Sequence, residues 1–169
     1  MRVFVMVLIV LLTAAVSQEL RGFAGTWAID PAKVHESAAP AKTPPKDAPE
    51  TPPPPPSKHE YTLEVIRQSG DLLKISGGEA GTTAVYTIDL SGKQVSDPIP
   101  DAPGVFRIAN SRREEGKIVT EWKLERNGET FMHGMDIRTL TSDGHQTVER
   151  VIESPRHRAE VRLVLDKVP

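Results

Sequence analysis

The stretch KIVTEWKLERNGETFMHGMDI, Lys117 to Ile137, holds two alternating runs joined by Asn127-Gly128. An Asn-Gly pair tolerates positive φ at both positions, so between alternating runs it predicts a two-residue β-hairpin turn. In the first run Ile118, Trp122 and Leu124 share a face opposite Val119, Glu121, Lys123 and Glu125. In the second, Phe131, Met135 and Ile137 share one. Side chains alternate across a strand, so one apolar and one charged face predict antiparallel strands with one side wet.

The same pattern extends outward in both directions. Tyr61, Leu63 and Val65 alternate with Thr62 and Glu64, and Ala159, Val161, Leu163 and Leu165 alternate with Glu160, Arg162 and Asp166. Turn signals separate the runs at Ser69-Gly70-Asp71, Gly77-Gly78, Ser91-Gly92, Asp97 to Gly104, Glu115-Gly116, Ser142-Asp143-Gly144 and Ser154-Pro155. No run beyond the N-terminal leader carries a helical apolar period. Short connections imply strands that pair in sequence order. A meander this long removes its exposed edges by closing on itself. The expectation is an all-β fold, an antiparallel up-and-down meander closed into a barrel of about eight to ten strands. A two-sheet sandwich, with the same strand spacing, is the rival.

Met1 to Ser17 reads as a secretory signal. Arg2 supplies its charge, Val3 to Val16 its apolar run, and Ala15-Val16-Ser17 a small-residue cleavage site. The apolar run falls short of the about 20 residues that a spanning helix needs. The expectation is a secreted or periplasmic protein with no integral membrane segment after cleavage, residues 18–169 forming one domain. There is no cysteine, so disulfides and thiolate metal sites are excluded. The formal charge is −2, with acids and bases mixed throughout, so nothing steers the chain to nucleic acid. Residues 38–58 contain the run Pro52 to Pro56 and read as a polyproline spacer, a loop inserted within the domain. A protein partner for this loop is the sharper alternative.

The phrase GTWAIDPAK, Gly25 to Lys33, opens the folded part. A Gly-x-Trp at the head of the first strand resembles the first motif of the lipocalins and the wider calycin group. With Gln68-Ser69-Gly70-Asp71, Leu73, Tyr86-Thr87-Ile88-Asp89 and Gly92-Lys93, the chain resembles a set of exported bacterial proteins with a lipocalin-like domain. The resemblance implies that Gly25 and Trp27 plug one end of the barrel and that the proline insert lies over the open mouth. It also implies an arginine over Trp27, with Arg150, Arg158 and Arg162 as the candidates. The Thr-Asp-Tyr triplet of the second lipocalin motif is missing.

His133 lies in phase with Phe131 and Met135, so all three are expected to face inward. There the histidine has the chemistry to hold a carboxylate or haem iron, or to be an ordinary hydrogen-bonded core residue. Thr120 and Trp122 continue the face of Ile118 as core or cavity edge. Arg150 shares a face with Val148 and Ile152, and Arg107 shares one with Val105; an inward arginine suits an anionic head group. Phe106 and Ile108 compete for the inside on that strand, so a solvated Arg107 is the plainer expectation. The candidate ligand-binding set is therefore His133, Phe131, Met135, Thr120, Trp122 and Arg150. The five histidines show no metal-ligand spacing, no nucleophile elbow or phosphate loop is present, and no cofactor is expected. These features predict a non-enzymatic barrel that binds a small, largely apolar molecule. The alternative is a ligand-free scaffold or envelope interaction module using the proline-rich loop and the outer surface.

Overall fold

The computed structural model describes residues 22–40, 61–79, 84–100 and 102–169. The leader and positions 41–58 of the proline-rich stretch lie outside the described residues. The chain enters the sheet with β1 (Gly25–Ile29), makes one 3-10 turn at Pro31–Lys33, and continues as β2 (His35–Pro40). Then follow β3 (Tyr61–Ser69), β4 (Leu72–Glu79), β5 (Ala84–Asp89), β6 (Val95–Pro98), β7 (Val105–Glu114), β8 (Lys117–Arg126), β9 (Glu129–Leu140), β10 (Gln146–Glu153) and β11 (His157–Val168). Hydrogen bonding orders them β5-β4-β3-β1-β11-β10-β9-β8-β7-β6, with β2 also on β11. First and last strands therefore join, as the meander requires. The expected two-residue turns are present at Asn127-Gly128 and at Glu115-Gly116, with φ of 53° and 81°, and 48° and 78°.

The opening phrase is one strand course bent in the middle. Thr26 to Ile29 run opposite Val168 to Leu165, and His35 to Pro40 run opposite Arg162 to His157. Between them Pro31 has no N–H for the ladder. Asp30 starts the turn, its carboxylate accepting from the Ala32 N–H at 3.0 Å. The Asp30 N–H still donates to the Val164 carbonyl at 3.1 Å, which keeps both halves in register on β11. Strand pairing continues to Pro40, so residues 38–40, expected as the start of a loop, belong to the sheet.

Trp27 is 1% exposed and its Nε1–H donates to the Phe23 carbonyl at 2.9 Å. It heads a packed cluster with Phe23, Ile29, Ile66, Leu73, Ile75, Ile88, Ile118, Val148, Leu163 and Leu165, which fills one half of the barrel. Of the described side chains, the one over the indole is Lys167, its Nζ 5.4 Å from the ring centroid, and not an arginine. Lys167 stands directly across the ladder from Trp27, and the arginines expected there are engaged elsewhere.

The circle closes imperfectly between β5 and β6. No backbone ladder joins them. Instead, the Asp97 carboxylate accepts from the Thr87 N–H at 2.7 Å and from the Thr87 hydroxyl at 3.1 Å. One side chain thus substitutes for a missing ladder rung. Asp97→Ala should cost about 1–3 kcal/mol, the value of charge-assisted bonds whose donor is left unpaired. Urea unfolding reads the loss, and hydrogen exchange should report reduced protection at the Thr87 amide.

Candidate functional site

Ladder register fixes which residues enter the barrel. β7 turns Val105, Arg107, Ala109 and Ser111 inward, and all four are buried. The last three stand across from Leu124, Trp122 and Thr120 on β8, and Trp122 and Thr120 continue to Gly134 and Asp136 on β9 and Ile152 and Arg150 on β10. Three residues of the expected set, Thr120, Trp122 and Arg150, are therefore brought together inside. The Thr120 hydroxyl lies 3.0 Å from that of Ser111.

The other three are not. His133 is 61% exposed on its side chain and its Nε2 lies 3.0 Å from Glu153 Oε2 on the outer face. Phe131 is exposed, and Met135 lies beside His133 in an outer groove. The whole of β9 has the opposite phase to the expected one, with Asp136 and Arg138 buried in place of the apolar set. On β3 likewise, Leu63 is exposed while Glu64 and Ile66 are buried. Charge went inside on both strands because it is paired there, and the apolar residues displaced outward bear a tolerable cost of partial exposure.

Two ionic layers result. In the lower, Arg138 is 1% exposed and donates to both oxygens of Glu64 at 2.8 and 3.2 Å, to Gln146 Oε1 at 3.0 Å and to the Tyr86 hydroxyl. Burial works against the Arg138 charge, but Glu64, Tyr86 and Asp136 together outweigh it and raise the guanidinium pKa. Burial also pushes the Tyr86 hydroxyl up. In the upper layer Arg150 clamps Asp136 bidentately at 2.9 and 2.8 Å, and the Trp122 Nε1–H donates to the same carboxylate at 2.9 Å. Burial alone would raise the Asp136 carboxyl, but Arg150 and the indole hold it below its ordinary value. The Trp122 ring can lie against the β9 backbone because residue 134 is glycine. A Cβ there would come within 2.5 Å of the indole and 2.3 Å of the Val151 carbonyl.

Above the second layer the barrel is open. A cavity of about 350 Å³ is walled by Val85, Tyr86, Ile99, Pro100, Trp122 and Leu124, with Arg107, Asp97, Asp136 and Arg150 among its polar groups. Arg107 is 7% exposed, and among the described residues its Nη1 and Nη2 have no hydrogen-bond partner. Its guanidinium instead stacks on Tyr86 at 4.8 Å and approaches Trp122 at 5.9 Å. Burial lowers its pKa from the ordinary value, with Asp136 opposing. A larger concavity, about 530 Å³, lies on the outer face over β7 to β11. There Glu121 is paired with Arg112, and Glu153 with His133 and Arg158. With its rim acids so paired and its floor on a solvated face, the interior cavity is the better-built site.

No protein-family model matches the chain, and no curated protein matches it. Solved structures do. A structure described as REP1-NXSQ fatty acid transporter superposes with a TM-score of 0.50 at 9% identity, covering 87% of this chain and 96% of that one. The apo lipid binding protein 8 of Caenorhabditis elegans gives 0.50 at 12% identity, covering 83% and 94%. At these identities the likeness is one of fold, and the fold is a nearly closed, lipocalin-like barrel.

Proposed function

We propose that this chain binds a small, largely apolar molecule inside its barrel and does so outside the cytoplasm. The half-filled interior is the observation that carries the proposal. One half is packed by the Trp27 cluster, while the other keeps a cavity of about 350 Å³ walled by aromatic and aliphatic side chains. The cavity lies at the small end of the range for small-molecule sites, about 300–1,000 Å³. Structural neighbours titled as a fatty acid transporter and a lipid binding protein have the same architecture. The leader Met1 to Ser17 supports export.

Leu124 faces the cavity from β8, so Leu124→Trp should fill it. The parent protein should bind the neutral dye Nile red at one saturable site. The variant should bind it about tenfold more weakly or worse, since the site is occupied, with an unchanged or higher melting temperature. Undiminished binding by the variant would move the dye to the outer groove and reject the interior. A parent that binds no apolar probe would favour the scaffold.

A further inference from the structure

We infer that the interior site is specific for a carboxylate head group, received by Arg107 on β7, so that the ligand is an apolar monocarboxylate. The inference deepens the proposed function and rests on it.

Arg138 Nε and Gln146 Nε2 each lack a partner among the described residues, but their side chains are otherwise bonded in the Glu64 layer, whereas both terminal nitrogens of Arg107 lack one. Glu64, Asp97 and Asp136 face three arginines, and the formal charges cancel. The hydrogen bonds do not distribute evenly. Glu64 is taken by Arg138, and Asp136 by Arg150 and Trp122. Asp97, directly across the ladder from Arg107, gives both oxygens to Thr87 at the barrel seam. Arg107 is left with two terminal nitrogens buried beside the cavity and without a partner among the described residues. A buried donor without an acceptor costs about 1–3 kcal/mol, more when charged. Stacking on Tyr86 and Trp122 recovers part of that, because a guanidinium is attracted to ring faces. It satisfies no N–H.

The missing partner has a defined chemistry. Paired planar donors match a carboxylate with two parallel bonds. A single negative charge suits an interior whose own charges already cancel, whereas a dianion would also repel Asp97 and Asp136. The rest of the wall, with Val85, Ile99, Pro100 and Leu124, gives the tail an apolar surface.

The test uses the full chain, Nile red as reporter, and two competitors of equal length, decanoate and 1-decanol. The parent should release the dye to decanoate at about tenfold or more lower concentration than to decanol, the range of a charge-assisted bond. Arg107→Gln should weaken decanoate about 10- to 100-fold and leave decanol within about threefold. It should not lower the melting temperature, since a buried unpaired charge is removed. Arg107→Lys, which keeps the charge and loses the fork, should lie between. Equal displacement by decanoate and decanol in the parent overturns the head-group assignment while the interior binder survives. So does an R107Q protein that holds decanoate as tightly as the parent. If neither competitor nor dye binds, the proposed function fails and this inference goes with it.

Discussion

Glu64→Ala should destabilise the fold by about 3–5 kcal/mol, a large share of what holds any domain of this size together. The size of the effect comes from what is left behind. Arg138 is 1% exposed, with Glu64 as its counter-ion across the barrel. Without that carboxylate the guanidinium keeps only the Gln146 and Tyr86 oxygens, and a cation in the interior has lost its counter-charge. Arg138→Met should cost a comparable amount by isolating Glu64. The double variant Glu64→Leu/Arg138→Met should cost less than the two single losses added, because no lone charge remains buried. Chemical denaturation of the four proteins gives the cycle. Additive losses, or a Glu64→Ala cost under about 1 kcal/mol, would mean that the pair is solvated and that the lower barrel is not closed.

Trp27→Ala should cost about as much, 3–5 kcal/mol by analogy with other large aromatic deletions in cores. The indole is 1% exposed, touches the Ile, Leu and Val cluster, and satisfies the Phe23 carbonyl with its N–H. Trp27→Phe separates these contributions. It keeps most of the ring packing and orphans the Phe23 carbonyl, so its loss should be nearer 1–3 kcal/mol. Lys167→Ala should change little by comparison, because an exposed cation over a ring is worth only about 0.5–1 kcal/mol. Urea unfolding followed by circular dichroism reads all three. A Trp27→Ala protein as stable as the parent would show that the end of the barrel is held by something other than the indole.

The ligand site is legible in the sequence only in part, and the strands show why. On β7, β10 and β11 the inward residues stand at the positions their alternation implies: Val105 and Arg107, Val148 and Arg150, Leu163 and Leu165. Arg107 nevertheless looks solvated in sequence, because its own neighbours, Phe106 and Ile108, offer an equally apolar opposite face. On β3 and β9 the alternation is real but points the wrong way. Leu63, Phe131 and Met135 make the more apolar face, and it is the outer one. Glu64, Asp136 and Arg138 are inside. No window on either strand carries the reason, since Glu64 and Arg138 are 74 residues apart.

Period, turns and the tryptophan are local properties of the chain. The φ demands of Asn127-Gly128, the alternation that repeats from Tyr61 to Leu165, and the bulk of an indole ahead of Asp-Pro are written in adjacent residues. They suffice for an antiparallel meander whose first strand pairs with its last. Which face of each strand turns inward is a different kind of quantity. Burying a charge is unfavourable for any strand considered alone and becomes acceptable only when its counter-charge arrives from another strand. The sign of that balance, and with it the position of the cavity and of Arg107 beside it, is set by closure of the barrel.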